Sequence, residues 1–309
     1  MAARQARTRD DKLTDFATVK TFRKLPGLAV LALPTTLSAR SRLAAEPTAS
    51  AAAIDLKARM AALMATGKFE FVEPDYIVHA TLFPSDAGAN DGRLWGLRNA
   101  GQSDGVPGAD IGAPAAWDIT TGSSSVIVAV IDSGIRYSHQ DLAANMWRNP
   151  GEIAANGIDD DHNGYVDDIF GINSITGIGD PFDDNSHGTH VVGTIGAVAN
   201  GGGPHVGVAW NVSLMALKFL GANGSGELSD AIECIDYAIS KGAMIMNNSW
   251  GGGGFSSAMS NAIERARLAN ILFVAAAGNN GNDNDAIPAY PASYPQTNIV
   301  AVAALDRRD

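Results

Sequence analysis

Five apolar runs punctuate the later part of the chain: VIVAVI (126–131), SLMALKFL (213–220), AMIMNNSW (243–250), ILFVAAAG (271–278) and NIVAVAAL (298–305). They are continuous where a half-exposed strand would alternate with polar residues. That pattern predicts strands covered on both faces of a sheet. Between them lie stretches with helical spacing, at 188–199, LSDAIECIDYAISK (228–241) and SSAMSNAIERARLA (256–269). Strand and helix in repeated alternation predict an α/β fold, a doubly wound and mostly parallel sheet with helices on both sides. Function in such sheets gathers at the carboxyl ends of the strands. Asp132, Ser249 and Asn279 all fall there.

The first part of the chain is patterned differently. TVKTFRKLPGLAVLALP (18–34) holds a strand-like run after a turn, AAAIDLKARMAALMATGK (51–68) reads as a helix, and FEFVEPDYIVHA (69–80) as a strand. The turn-rich stretch TLFPSDAGANDGRLWG (81–96) marks a boundary. Two domains follow, a small α+β unit over 1–82 and the α/β unit over 83–309.

Composition narrows the possibilities. With 309 residues, 46% hydrophobic and 18% charged, the chain can bury a sizeable core. No apolar run approaches the roughly 18 residues needed to span a bilayer. The net charge of −11 hides an asymmetry: residues 1–83 carry 12 Lys+Arg against 8 Asp+Glu, and the remainder 10 against 25. A basic leader and an acidic body attract one another, and the acidic body repels nucleic acid. Cys234 is the single cysteine, which excludes an internal disulfide, and its place in AIECIDYAI reads as a small buried hydrophobe. The opening MAARQARTRDDKL lacks the apolar centre of a secretory signal.

The segment NSHGTHVVGT (185–194) raises the chemical question, because it sets His187 and His190 three apart at the head of a small-residue helix. Zinc ligation calls for further ligands at short spacing, and Gly188 and Thr189 fill the gap instead. General-base chemistry calls for an acid to orient an imidazole and a hydroxyl for it to deprotonate. Asp132, ending a buried strand, suits the first requirement. Gly188 and Gly193 let a helix bearing His187 approach it closely, with His190 facing the helix interior.

VAVIDSGI, NSHGTHVVGTIGA, NNSWGGG and AAAGNNG, in that order, resemble the subtilisin-like serine proteases. The resemblance implies that Asp132 orients the imidazole, that His187 is the general base and later the general acid, and that Asn279 donates to the oxyanion. It also implies peptide-bond hydrolysis through an acyl-enzyme. The family's nucleophile belongs to a Gly-Thr-Ser-Met-Ala-type motif, and no Gly-Thr-Ser occurs in the 309 residues. The expectation is a chain truncated before the nucleophile, inactive as it stands. FEFVEPDYIVHA resembles the last strand of the family's pro-domain. It implies that residues 1–82 form a chaperone and temporary intramolecular inhibitor, whose first strand is expected to be lost upstream together with a signal peptide. The parent is then a secreted, monomeric zymogen.

The resemblance further implies an extended polypeptide substrate held between Gly224, Ser225 and Gly226 on one side and Ser249, Trp250 and Gly251 on the other. Ala289 resembles the floor of the primary specificity pocket and suggests room for an apolar side chain. Independently, DDDHNGYVDD (159–168) follows the calcium-loop pattern, with Asp159, Asp161, Asn163 and Asp167 as oxygen ligands, Gly164 at the turn and the Tyr165 carbonyl. Phe170 stands where that pattern has a bidentate Glu, and Asp168 is the candidate substitute. Structural Ca²⁺ is the expected cofactor, with Asp141 resembling a further ligand of the family. Two rival readings are an inactive relative used as a binding module and a zinc hydrolase using His187, His190 and the acidic loop.

Overall fold

The computed structural model describes residues 2–5, 17–21, 28–32, 49–74 and 82–308. The chain divides into two compact units, Met1–Ala80 and Thr81–Asp309.

In the first unit, β1 (Ala2–Gln5), β2 (Ala17–Thr21), β3 (Leu28–Ala32), α1 (Ala49–Ala65) and β4 (Phe69–Glu73) follow in chain order. The strands form an antiparallel sheet in the order β2-β3-β1-β4. Leu63 of α1 packs on Leu31, Phe69 and Val72 of the sheet. Ala2–Gln5, not foreseen from the sequence, lies inside this sheet between β3 and β4. Its AARQ sequence has no strand pattern of its own, and its conformation comes from pairing with β3 and β4 on either side. The strand expected over 69–80 is described only to Glu73, and residues 75–80 lie outside the described residues.

The second unit opens with two short helices, α2 (Ala87–Asn90) and α3 (Ala113–Trp117). Then come β5 (Gly122–Asp132), β6 (Gly171–Asn173), α4 (His187–Gly196), β7 (Asn211–Lys218), α5 (Leu228–Ser240), β8 (Ile245–Asn248), α6 (Ser257–Leu268), β9 (Leu272–Ala276) and β10 (Ile299–Val302). The six strands make a parallel sheet in the order β10-β9-β8-β5-β7-β6. All five apolar runs are strands and all three helical stretches are helices. β6 was not foreseen, since three residues are too few to show a period.

The faces of the sheet explain which side chains are apolar. On one face, Ala129, Ile131, Met215, Leu217, Met246 and Phe273 pack under Ala231, Cys234, Ile235 and Ala238 of α5 and Met259, Ala262, Ile263 and Ala266 of α6. On the other, Val128, Val130, Val212, Leu214 and Ala216 meet Val192 of α4. Both faces of β5 and β7 are thereby covered, as their continuous apolar runs require. β10 departs from this expectation: it is an edge strand, and Val300 and Val302 are 43% and 50% exposed. Being apolar at every position, it could not reveal from sequence which face would be covered.

The core next to the sheet centre is tightly filled, and Phe273 is wholly buried. Phe273→Ala should destabilise the protein by about 3–5 kcal/mol, the transfer and cavity terms together. A urea unfolding curve with unchanged slope and a lowered midpoint is the expected record.

Candidate active site

β5 is flanked in the sheet by β7 and β8, so its carboxyl end lies near the centre of the sheet edge. Asp132 ends it and is wholly buried. Burying a carboxylate is costly unless donors meet it. The main-chain N–H of Ser133 donates to Asp132 Oδ1 at 2.7 Å, and His187 Nδ1 lies 2.7 Å from the same oxygen. The His187 side chain is 49% exposed, so its other ring nitrogen lies on the open side of the pair. This is the arrangement in which a carboxylate fixes an imidazole tautomer and leaves Nε2 able to accept a proton.

Close approach of α4 to β5 makes the contact possible. A Cβ on Gly188 would lie 2.2 Å from the Gly134 carbonyl oxygen and 3.2 Å from Asp132 Oδ1. Only glycine lets the first turn of α4 sit so near the strand end. Ahead of it, Ser186 takes a left-handed conformation (φ 87). Asp183 receives the main-chain N–H groups of Asn185, Ser186 and Thr189 at 2.9–3.0 Å, capping the helix in place of an adjacent side chain. Lys218 at the end of β7 is 3% exposed, and its Nζ donates to the Ser133 and Leu220 carbonyls and to Asp184 at 2.6–2.8 Å. The ends of β5 and β7 and the loop before α4 are thereby tied together.

His190 corrects one expectation. It does not face the helix interior but is exposed, because Gly188, Val192 and Gly196 take the buried side of α4. It lines a cavity of about 590 Å³ with His139, Asp141 and His205. Among the described residues, the group of three or more acidic, histidine or cysteine side chains able to share an ion contains no histidine.

A cleft of about 540 Å³ opens beside His187, walled by Gly224, Ser225 and Gly226 on one side and Ser249, Trp250 and Gly251 on the other. Six of the seven residues singled out in the sequence for substrate binding, all but Ala289, therefore share one cavity with His187. Phe219 and Trp250, both lining it, meet edge to face with ring centroids 4.9 Å apart, and Leu220 and Leu228 add apolar side chains to its lining. Gly226 is sterically obligatory, since a Cβ there would lie 2.1 Å from the Phe219 carbonyl oxygen. Among the described residues, the main-chain groups of Gly226 and Gly251 make no internal hydrogen bond. They are free to pair with an extended ligand. Asn279 and Ala289 fall together in an adjoining cavity of about 430 Å³, which shares the wall 249–253 with the first.

The acidic loop is more divided than its pattern suggests. Asp159 accepts the N–H groups of Asn163 and Gly164, and Asp167 those of Asn156 and Gly157, so both carboxylates fold the loop on itself. Asp161 and Asp168 instead come together with Glu152, their carboxylate oxygens lying within 4.8 Å of one another. Glu152 was missed because it stands outside the repeat, and only folding brings it in. Asn163 and Tyr165 stay at the loop's edge: the Asn163 amide donates to Asp168 at 2.7 Å, and the Tyr165 hydroxyl bonds Glu233 of α5. Lys241 pairs with Asp161 Oδ2, while Asp161 Oδ1 is buried without a partner. Asp141 is 6% exposed and lies against the main chain of a different loop, its carboxylate 2.7 Å from where a Gly203 Cβ would stand. Asp86, unremarked in the sequence, borders that loop too. It accepts the Asn200 N–H on Oδ2, and Oδ1 is buried and unpartnered.

The fold and site define an α/β protein with a carboxylate–imidazole pair at the strand ends, opening on a glycine-walled cleft. The profile of the Subtilase family matches residues 123–309, and the chain belongs to that family. It is similar to subtilisin-like protease 1 of Plasmodium vivax, 40% identical over 194 residues covering 58% of this chain and 31% of that protein. It is likewise similar to subtilisin-like protease 1 of Plasmodium falciparum (isolate 3D7), 37% identical over 199 residues, covering 60% and 29%. A thermophilic serine proteinase of Bacillus sp. (strain AK1) is 35% identical over 240 residues, covering 78% of this chain and 50% of the relative. The chain thus spans about a third to a half of the length of these relatives.

Burial by itself would push the Asp183 carboxyl up, but the hydrogen bonds from Thr189, Asn185 and Ser186 outweigh it and hold it below the ordinary 3.8. A carboxylate whose pKa is lowered on folding stabilises the native state in full above that ordinary value and loses its contribution as the pH falls below it through the lower folded value. Stability measured by urea midpoints from about pH 6 to about pH 3 should therefore drop on the acid side. Asp183→Asn should flatten that acid limb while lowering the plateau.

Proposed function

We propose that the chain carries the Asp–His half of the catalytic triad of a secreted serine endopeptidase acting on extended polypeptides. The 2.7 Å contact between buried Asp132 and His187, open to a cleft with unpaired main-chain groups, is the observation that carries this reading. Asp132 holds the imidazole with its Nδ1 proton directed at the carboxylate. His187 Nε2 takes the proton of an attacking serine hydroxyl and later returns it to the leaving amine. The Asn279 side chain donates to the oxyanion of the tetrahedral intermediate. A peptide adds as a strand between 224–226 and 249–251, with an apolar side chain directed toward Ala289. The serine belongs to a Gly-Thr-Ser motif, which these 309 residues do not contain. Residues 1–82 act as intramolecular chaperone and inhibitor of a monomeric zymogen.

The 309-residue polypeptide should not be acylated by a fluorophosphonate or release a burst from an activated ester, while peptide titration should perturb the amide resonances of 224–226 and 249–251. Stoichiometric acylation would sink the assignment of the nucleophile to another segment. In the serine-bearing enzyme, Asp132→Asn should lower kcat about 10⁴-fold with little change in KM. Asn279→Ala should lower kcat by about 10²–10³, the size found when an enzyme of this family loses one oxyanion donor.

Calcium is the structural cofactor. Glu152, Asp161 and Asp168 form one oxygen-rich group, and Asp141 and Asp86 each border the loop of residues 200–203; the unpartnered Asp161 and Asp86 oxygens and the cradle at Gly203 suit a hard cation. Bound Ca²⁺ supplies charge that offsets carboxylate repulsion. Calcium at 100 times its Kd should add about 2.7 kcal/mol per site to stability. Thermal melts with calcium and with chelator test this, and Asp168→Asn should abolish part of the difference.

A further inference from the structure

We propose that Asp183 is a positioning residue for the Asp132–His187 pair and acts on it through the Ser133 hydroxyl; this rests on the catalytic reading of that pair. Asp183 is 8% exposed and its carboxylate accepts five hydrogen bonds. Oδ1 takes the Ser133 hydroxyl at 2.9 Å and the N–H groups of Asn185 and Ser186; Oδ2 takes the N–H of Thr189 at 3.0 Å and its hydroxyl at 2.5 Å. Ser133 is wholly buried and has a single hydroxyl proton, which is committed to Asp183. With that proton directed away, the oxygen of Ser133 faces the Gly188 N–H and accepts it at 2.9 Å.

The consequence lies in where these residues sit. Ser133 directly follows Asp132, and Gly188 directly follows His187. The Ser133–Gly188 bond therefore locks the two chain segments that carry the catalytic groups to one another, one residue away from each. A helix cap requires only the bonds that Asp183 accepts from the N–H groups of Asn185, Ser186 and Thr189. The bond to Ser133 contributes nothing to a cap. It orients a hydroxyl that holds α4 against the end of β5, where Gly188 has no Cβ to crowd Asp132 Oδ1. If the Asp183 acceptor is removed, the hydroxyl is free to rotate and its lone pair no longer faces Gly188. The imidazole then loses its fixed register on Asp132.

The test uses the 309-residue chain and the proton NMR signal of His187 Nδ1–H, which a short hydrogen bond to a buried carboxylate shifts far downfield. His187→Gln identifies the signal. Asp183→Ala, which removes both acceptor oxygens, and Ser133→Ala should each abolish it or broaden it beyond detection. Thr189→Val, which weakens the cap but leaves the Ser133 bridge, should lower the urea midpoint and keep the signal. Folded Asp183→Ala and Ser133→Ala proteins with the parent signal unchanged would reduce Asp183 to a helix cap and overturn the proposal. If Asp183→Ala does not fold, Ser133→Ala decides alone. A parent protein with no downfield signal would instead overturn the Asp132–His187 pairing itself.

Discussion

A carboxylate shut away from water at the end of the central β5 strand is the constraint on which the rest of the site depends. Asp132 has no exposed surface; donors from its own chain and from α4 meet Oδ1, while Oδ2 is buried without a partner among the described residues. Because a buried charge without partners is costly, every element that delivers a donor has to be held within a few tenths of an ångström. Gly188 removes the Cβ that would strike Gly134, and Lys218 clamps the strand ends from below. The cleft then follows: the loop after β7 and the segment after β8 leave the same sheet edge and become its two walls.

The acidic character of the second unit is largely consumed by loops rather than displayed as a uniform field. Asp159, Asp160, Asp167, Asp183 and Glu152 accept main-chain N–H groups, so each carboxylate substitutes for secondary structure in a stretch that has little. Asp161 and Asp168 are the exception: they converge on Glu152, with Lys241 as a neighbouring positive charge. Charge composition alone separates neither role, since both read as a run of aspartates.

Most of the architecture was legible because parallel strands covered on both faces leave an unmistakable signature in one dimension. The five apolar runs located the strands, and the glycine next to His187 announced a close approach. Two elements escaped for the same physical reason. Ala2–Gln5 and Gly171–Asn173 are short strands whose conformation is imposed by neighbours. The side of α4 that His190 occupies escaped too, because a ten-residue helix of mostly small residues has only a weak apolar stripe.

The sequence by itself determined the order of strands and helices, the family, and the residue types of the catalytic pair, because these depend on local period and on motifs contained in single segments. Tertiary structure alone decided which carboxylates converge and which merely brace a loop. It also placed residues from three separate loops around one cleft, and made Asp183 the link between the segments of Asp132 and His187. Each of those facts is a distance between residues far apart in the chain, and hydrophobic pattern encodes burial, not distance.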